Sequence, residues 1–389
     1  MQGWLKIERN VRETINGLLG RLLADGLVDG LLVPLRTPDG RNVVPTLIRD
    51  PALLEHADPL APVMPRNAAT VLGRVTATGD MGHLGAVLKP CELRTAVELA
   101  KVRQTVLEDV LLISIDCLGT YNVEANTEMV EQGQEPAAVA LENAREGQVE
   151  PMAGYAFRSA CTMCERPIPS VGEGEEGGWR DDEEAGAWRA DVAIGLLGVA
   201  DEDALWLSVR DDDLAASLGL EAAKEPAERS EAVSSLIDAR TAERDRRFAE
   251  LRERVHSPET VLGEFATCIG CQNCMTVCPI CYCKECIFRT DVFDHPSARY
   301  WDWAERKGGV RLPADTVLFH LTRMLHMAHA CVGCGMCSDA CPVGIPVADI
   351  FRAVGQRVQT RFAYVPGRDP EEEMIIATFH EHELETLGK

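Results

Sequence analysis

The stretch Cys268-Ile-Gly-Cys271-Gln-Asn-Cys274-Met-Thr-Val-Cys278-Pro279 recurs with the same cysteine spacing as Cys331-Val-Gly-Cys334-Gly-Met-Cys337-Ser-Asp-Ala-Cys341-Pro342. In the spacing C-x2-C-x2-C-x3-C-P, three cysteines of one run and the last cysteine of the other hold one 4Fe-4S cluster. The repeat therefore predicts two clusters. Cluster one takes Cys268, Cys271, Cys274 and Cys341, and cluster two takes Cys331, Cys334, Cys337 and Cys278. Zinc ribbons are the alternative that such cysteine spacing leaves open.

Length, charge and cysteine content narrow the class of protein. The chain has 389 residues, enough for two or three domains with their own cores. Its 15 cysteines do not indicate a disulfide scaffold, because disulfide-dense secreted proteins are mostly small. Residues 1–8 contain no apolar signal core, so we expect reduced cysteines in a cytoplasmic, oxygen-poor setting.

The hydropathy and the charge exclude two further classes. No apolar stretch approaches the roughly 20 residues that a membrane-spanning helix needs. The net charge of -23 argues against binding to nucleic acid or to an anionic membrane surface.

Alternating strand and helix patterns predict an α/β fold for the first part of the chain. Strands are expected at residues 31–35, 43–48, 85–88, 110–115 and 192–199, and helices at residues 5–25 and 92–104. Strands as apolar as Val110–Ile115 are typical of parallel sheets that are buried on both faces. The polar residues 119–150 show little pattern, and the charged residues 171–187 predict a solvated loop.

Three segments follow from these patterns. Residues 1–228 form the α/β domain, and a charged helix within residues 229–257 is expected to act as a linker. Residues 258–389 are expected to form a mostly helical two-cluster domain like that of bacterial ferredoxins. This domain carries an insertion between Cys278 and Cys331 and a C-terminal extension. The fold class is therefore α/β for the first domain and α+β overall.

Four cysteines lie in the first 260 residues, before the repeat. Cys91 and Cys117 each follow a predicted strand, so they are expected at the carboxyl edge of the sheet, where α/β proteins gather ligands. Cys161-Thr-Met-Cys164 supplies two further thiols one turn apart. The spacing alone is compatible with a third 4Fe-4S cluster and equally with a set of buried free thiols.

The segments around these cysteines resemble a known family. Val87-Leu-Lys-Pro-Cys91-Glu-Leu-Arg94, Leu111-Leu-Ile-Ser-Ile-Asp-Cys117-Leu-Gly-Thr-Tyr121, Ala160-Cys-Thr-Met-Cys164 and Asp191-Val-Ala-Ile-Gly195 are similar to the beta subunits of deazaflavin (coenzyme F420) hydrogenases and of related formate dehydrogenases. The resemblance covers roughly residues 60–200, and the two-cluster tail fits the formate dehydrogenase version. It implies one FAD and one 4Fe-4S cluster in the α/β domain, here called cluster three. Its ligands would be Cys91, Cys117, Cys161 and Cys164.

The flavin contacts are where the sequence departs from that family. The Ser-Gly-Gly loop of other members is replaced by Met64-Pro-Arg-Asn67-Ala-Ala-Thr70, where Asn67 is expected to cap a helix over residues 68–77. A helix N-terminus suits a pyrophosphate, which makes Asn67 and Thr70 candidate contacts, although a plain capped helix fits equally well. Lys89 is a candidate partner of a reduced flavin, or a surface lysine, and Arg158 is a candidate phosphate contact. There is no G-x-G-x-x-G fingerprint of a Rossmann nucleotide site.

Several residues remain after these assignments. Cys281, Cys283 and Cys286 leave three metal readings open: a further cluster, a zinc ion completed by a residue such as His295, or ligands at a subunit joint. Buried inert thiols are the less favoured reading. The spacing Cys274-x3-Cys278-x2-Cys281 matches the radical-SAM signature, but the repeat explains these cysteines better. His320, His326 and His329 are expected to be packing or surface histidines.

The parts together predict an electron-transfer oxidoreductase subunit. Iron–sulfur clusters pass one electron at a time, whereas hydride carriers exchange two electrons. A flavin can do both, so it can connect a hydride carrier to a cluster. We expect electrons to pass between a carrier, deazaflavin or nicotinamide, and a partner formate dehydrogenase, hydrogenase or heterodisulfide-reductase-like complex. The alternatives are a flavin-free iron–sulfur adaptor and a zinc-bound structural subunit. No catalytic acid, base or nucleophile is predicted.

Overall fold

The structure is a computed structural model that describes residues 1–77, 79, 81–171, 189–309 and 315–379. Ten strands occur in this part of the chain. They are β1 Gln2–Lys6, β2 Gly30–Arg36, β3 Val43–Ile48, β4 Leu84–Leu88, β5 Val110–Ile115, β6 Ser170–Val171, β7 Arg189–Ala190, β8 Val192–Gly195, β9 Ala204–Val209 and β10 Glu221–Ala222. Eight of them form one sheet in the order β10-β1-β9-β8-β5-β4-β2-β3, and β6 pairs with β7. The fold class predicted from the sequence, α/β with a C-terminal two-cluster domain, is confirmed by the sheet and by the family match given below.

The centre of the large sheet is parallel, as predicted from its apolar strands. β2, β4, β5 and β8 run parallel to one another, and the outer strands are antiparallel. All five residues of β4 are buried, because helices cover both faces. Val87 and Ile113 belong to one core cluster, whereas Ala86 and Leu112 belong to another. This alternation follows from the two-residue period of a strand.

Fourteen α-helices occur in the described residues. They are α1 Val11–Ala24, α2 Ala69–Thr76, α3 Pro90–Lys101, α4 Val123–Glu131, α5 Pro136–Arg145, α6 Ser159–Thr162, α7 Asp212–Ser217, α8 Ala227–Arg254, α9 Pro258–Glu264, α10 Asn273–Thr276, α11 Ser297–Lys307, α12 Thr316–Met327, α13 Met336–Asp339 and α14 Val347–Arg361. Short 3-10 helices span Pro51–His56, Ile287–Arg289 and Asp291–Phe293. No helix in the described ranges is both long and apolar enough to cross a membrane.

The local sequence explains how the helix that carries Cys91 begins. Pro90 occupies the first position of α3, where its missing N–H costs no hydrogen bond. The Glu92 carboxylate accepts a hydrogen bond from the Lys89 backbone N–H at 2.9 Å. These two features end β4 and start the helix within two residues, which fixes Cys91 at the sheet edge.

Several predicted boundaries were wrong. The helix predicted from residue 5 begins at Val11, because residues 2–6 form β1, which pairs with β9. Residues 119–150, predicted to be irregular, contain α4 and α5, and the strands β9 and β10 were missed. Apart from Val171, the predicted solvated loop at residues 171–187 lies outside the described residues.

The long helix α8 connects the sheet with a second apolar core. At its start, Arg229 forms a buried ion pair with Asp116, which follows β5. At its end, Phe248 and Leu251 pack into the core of the cysteine-rich part. The charged connecting helix was therefore predicted correctly, within two residues at its start.

The segment after α14 returns to the first domain. The Tyr364 hydroxyl donates to the Glu98 carboxylate at 2.7 Å, and the Gly367 N–H donates to it at 2.7 Å. Lys101 lies 3.1 Å from the same carboxylate and 2.9 Å from the Tyr364 hydroxyl. This buried network attaches the C-terminal extension to α3, the helix that carries Cys91.

Candidate metal centres and the adjoining cleft

The four cysteines of the first domain lie around one cleft of about 390 Å³. Cys91 lies in the first turn of α3, directly after β4, and Cys117 follows the end of β5. Because β4 and β5 are parallel, both thiols are delivered to the same edge of the sheet. Cys161 lies on α6, and Cys164 follows that helix. The structure thus brings together all four cysteines that the family resemblance suggests for cluster three.

The environment of this cleft disfavours free thiolates, so thiolates here would need a bound positive group. Burial raises the pKa of Cys91 well above its usual value, and the neighbouring Glu92 and Cys117 raise it further. Burial also raises the pKa of Cys117, and the Cys161 thiol adds to the effect. Buried negative charge needs compensation, which a metal centre supplies. Three arginines that line the cleft add positive charge: Arg158, Arg166 and Arg240.

The second cysteine run lies around another cleft of about 440 Å³. Cys331, Cys334 and Cys337 line it together with Cys278, which comes from the first run. Burial raises the pKa of Cys334 to about 12, with Cys278 adding to the shift, and burial raises that of Cys337 well above normal. The thiols therefore assemble in the exchanged arrangement expected for cluster two.

The remaining four cysteines of the repeat include two whose pKa values the others raise. Burial raises the pKa of Cys268, with Cys271 and Cys341 adding to the shift. Burial likewise raises the pKa of Cys274, and the thiols of Cys268, Cys271 and Cys341 raise it further. Cys271 is exposed, whereas Cys274 is buried. The role of these four cysteines as the ligands of cluster one stays a prediction.

A single bound metal ion would require several of these side chains to lie close together. Within the residues that the structure describes, no three or more Cys, His, Asp or Glu side chains lie close enough to ligate one metal ion. A 4Fe-4S cubane instead receives one thiolate at each of four irons.

The two predicted centres nearest the domain boundary adjoin each other. Gly333 and Cys334 line both the cleft of cluster three and the cleft of cluster two. Arg158 spans the same boundary: it donates to the Cys334 carbonyl at 2.8 Å and to the Thr120 hydroxyl at 3.2 Å. The Thr120 hydroxyl in turn lies 3.1 Å from the Cys161 sulfur.

A third cleft, of about 850 Å³, adjoins the cleft of the four first-domain cysteines. Its walls come from the carboxyl ends of the central strands and from the loop before α2, and they are mostly apolar. Lys89 and Cys117 line both this cleft and that of cluster three. The Lys89 ammonium donates to the Ala61 carbonyl at 3.0 Å, which holds its charge at the cleft.

The predicted phosphate contacts in the Met64–Thr70 stretch are not placed for that role. Asn67 is buried, and its side chain accepts from the Ala69 N–H at 3.1 Å and donates to Thr95 at 3.3 Å. The helix spans residues 69–76 rather than 68–77, so Asn67 lies one residue before its cap. The Thr70 hydroxyl donates to the Asn67 carbonyl at 2.8 Å.

An internal anion already occupies the start of α2. The Glu92 carboxylate accepts from the Ala68 N–H at 2.7 Å, although burial raises the pKa of this group. Arg158 is also placed differently from the phosphate role expected for it, because it forms an ion pair with Asp339 at the domain boundary. Lys89 alone of the four candidate contacts lines the apolar cleft.

Four residues in or beside these clefts escaped sequence reasoning. Arg66 lines the apolar cleft, and Glu92 occupies the helix start. Thr120 contacts the Cys161 sulfur and Arg323 contacts the Cys274 sulfur. Only Glu92 had a sequence signal, because it lies three residues after the helix cap, where a capping carboxylate is common.

The surplus cysteines lie next to cluster two. Burial raises the pKa of Cys281 to about 11, and the nearby Cys278, Cys283 and Cys286 act in the same direction. The His295 ring packs edge-on against Trp303 at 5.1 Å. The metal role of these three cysteines stays a prediction.

The three histidines expected to pack or to face solvent are placed as follows. His320 is buried and stacks on Phe265 at 4.0 Å, and its Nε2 also lies 3.3 Å from the Cys268 sulfur. His326 is exposed, and His329 is buried.

Comparison with known proteins gives the class first. Residues 264–345 match the family model described as a 4Fe-4S dicluster domain. The C-terminal part is thus an iron–sulfur domain rather than a zinc ribbon, as the repeat predicted.

The particular relatives are formate dehydrogenase subunits. The chain is 27% identical to the F420-dependent formate dehydrogenase subunit beta of Methanocaldococcus jannaschii over 376 residues, which is 91% of each chain. It is 28% identical to the F420-dependent formate dehydrogenase 1 subunit beta of Methanococcus maripaludis over 388 residues, 92% of this chain and 91% of that protein. The resemblance inferred from the cysteine segments is confirmed, and the chain is an iron–sulfur electron-transfer subunit of the oxidoreductase type.

A solved structure shows a weaker similarity. One chain of the F420-reducing NiFe hydrogenase complex from Methanosarcina barkeri aligns with 64% of this chain and 92% of its own length. The TM-score is 0.44 and the sequence identity is 12%.

Proposed function

We propose that this protein is a flavin and iron–sulfur subunit that passes electrons between a hydride carrier and a catalytic partner. The carrier is deazaflavin or a nicotinamide, and the partner is a formate dehydrogenase, a hydrogenase or a heterodisulfide-reductase-like complex. The names of both formate dehydrogenase relatives favour deazaflavin and formate among these choices. The thiols hold three 4Fe-4S clusters with the ligands given above, and no side chain acts as acid, base or nucleophile.

A row of three adjoining clefts is the observation that carries this proposal. The apolar cleft shares Lys89 and Cys117 with the cleft of cluster three. That cleft shares Gly333 and Cys334 with the cleft of cluster two. Short distances between redox centres are what an electron path needs, and shared walls provide them.

The residues of the apolar cleft fit a flavin ring better than a flavin diphosphate. Apolar walls suit the ring, and the Lys89 ammonium suits negative charge on its reduced form. A flavin supplies the exchange of two electrons with a hydride carrier and of single electrons with a cluster. Arg66, at the rim, is the cationic side chain of this cleft nearest to the α2 start in sequence.

A wide cleft gives the carrier a route to this site. It opens to solvent and shares the wall of residues 60–63 with the apolar cleft. Its further lining includes five arginines, at positions 9, 12, 36, 41 and 145, and six carboxylates, at positions 58, 135, 142, 146, 202 and 203. These charges are mixed, so the access that the cleft gives, rather than its charge, is what suits it to a carrier.

Composition analysis of anaerobically purified full-length protein tests the proposal. Three clusters predict about 12 iron atoms and about 12 acid-labile sulfides per chain. One FAD per chain is expected, together with reduction of the flavin by one of the two carriers. Zinc in place of iron and sulfide would sink the whole proposal.

The second candidate, a flavin-free iron–sulfur adaptor, is favoured by one observation. The Glu92 carboxylate occupies the helix N-terminus at which the flavin pyrophosphate was expected. Iron and sulfide at the full ratio without flavin would select this candidate. The Glu92→Gln variant adds a check, because removing the internal anion should strengthen FAD binding only if the pyrophosphate competes for the same amides.

A further inference from the structure

We infer that Arg323 raises the reduction potentials of clusters one and two together, by holding one fixed positive charge between them. The inference rests on the ligand sets of the proposed function. Arg323 lies on α12, in the insertion that separates the two cysteine runs. The insertion thus contributes a charge to the centres that flank it in sequence.

On one side, Arg323 contacts a ligand of cluster one directly. Its Nη1 donates to the Cys274 sulfur at 3.1 Å, and its Nη2 donates to the Cys274 carbonyl at 2.9 Å. The residue is only 3% exposed. Two hydrogen bonds from one planar group fix both its position and its orientation.

On the other side, Arg323 lines the cleft of cluster two. Cys278 and Cys337, two of the predicted ligands of cluster two, line the same cleft. The guanidinium therefore lies beside ligands of both sets.

Aromatic rings keep the side chain in this position. The guanidinium carbon lies 5.5 Å from the Phe319 ring centre and 5.1 Å from that of Phe351. Phe319 comes from α12 and Phe351 from α14, so Arg323 is held between two helices. Cation–π contacts of this kind are stronger when they are desolvated.

The direction of the effect follows from charge. Each cluster takes up one electron on reduction, no bond forms or breaks, and the cluster gains one negative charge. A positive charge nearby stabilises the reduced state more than the oxidised state, and burial keeps the interaction from being screened. Because arginine stays protonated in proteins, the effect does not depend on pH.

Potentiometric titration of the full-length protein tests this, with dithionite as reductant and electron paramagnetic resonance of each reduced cluster as readout. In Arg323→Gln the midpoints of clusters one and two should both become more negative, whereas that of cluster three should change least. Arg323→Lys should give smaller shifts of the same sign. The matched control is Arg246→Gln, which removes an exposed arginine on α8 that pairs with Glu243 and Glu250.

The outcomes separate the possible roles. A shift in cluster one alone would reduce Arg323 to a hydrogen-bond donor for Cys274 and overturn the inference, as would unchanged midpoints in a fully loaded Arg323→Gln protein. If Arg323→Gln loses iron, the midpoint potentials of Arg323→Lys are compared with those of the wild type instead. Shifts in the midpoints of both clusters support the inference, and unchanged midpoints overturn it. Iron and sulfide counts on the wild type come first, so a failure of the proposed clusters is recognised separately.

Discussion

At the scale of single residues, the cysteines depend on their neighbours for compensation of charge. Arg158 and Arg323 each contact a cysteine of the repeat, through the Cys334 carbonyl and the Cys274 sulfur respectively. Thr120 contacts the Cys161 sulfur. Hydrogen bonds to the sulfurs and nearby charges are among the factors that set cluster potentials. The chain has a net charge of -23, but several buried arginines are concentrated around its thiols.

His320 gives a pH-dependent prediction at this scale. Burial, with Arg323 adding, lowers its pKa to about 4, whereas an unfolded histidine titrates near about 6.5. Between these values the unfolded chain binds a proton that the folded chain does not. The free energy of unfolding therefore falls as the pH drops through this window, by at most about 1.4 kcal/mol per pH unit.

Anaerobic urea unfolding at about pH 7 and about pH 5 measures this effect. His320→Gln should lose part of the difference in stability between the two conditions, and His326→Gln, on the exposed face of the same helix, should keep it. Equal differences in both variants would contradict the assignment of the proton to His320.

At the scale of elements, α8 connects the sheet to the cysteine-rich core. The Arg229–Asp116 pair at its start is buried, with 6% and 0% of the side chains exposed. Asp116 also accepts from the Leu196 N–H at 2.8 Å, and it directly precedes Cys117. The ion pair thus supports the end of β5, where a predicted ligand of cluster three lies.

Replacing Arg229 with methionine should be strongly destabilising. It leaves the Asp116 carboxylate buried without its cation, which costs about 3–5 kcal/mol. The urea midpoint should fall, and iron should be lost first from cluster three. Arg246→Met, on the exposed face of the same helix, should change the free energy of unfolding by less than about 1 kcal/mol. A similar effect of both variants would contradict this role of the ion pair.

At the scale of the whole molecule, the proposed exchange of Cys278 and Cys341 between the two runs would join distant parts of the chain. It predicts that Cys278→Ser resembles Cys337→Ser in its residual spectrum, because both remove a ligand of cluster two. Cys341→Ser should resemble Cys274→Ser in the same way. The paramagnetic spectra of the four variants, normalised to iron content, check the pairing. If Cys278→Ser instead matched Cys274→Ser, each run would hold its own cluster.

Sequence analysis could predict features that depend on residue spacing. It could not predict contacts that depend on packing between distant parts of the chain. The two cysteine sets of the repeat follow from spacing and the third set from the family resemblance, so all three could be proposed before the fold was known. Arg158 could not be placed, because its partner Asp339 lies in the other domain. Asn67 was expected at a helix cap, but Glu92, from the next helix, binds the Ala68 amide instead. Sequence periodicity gives no information on such tertiary partners.

The return of the C-terminal extension to α3 has a consequence for biosynthesis. Until Tyr364 and Gly367 have left the ribosome, the Glu98 carboxylate lacks the two hydrogen-bond donors that these residues supply, the Tyr364 hydroxyl and the Gly367 N–H. The helix that presents Cys91 therefore acquires its final support last. We expect assembly of the proposed cluster three to be coupled in this way to synthesis of the segment after α14, so that earlier loading with iron and sulfide is disfavoured.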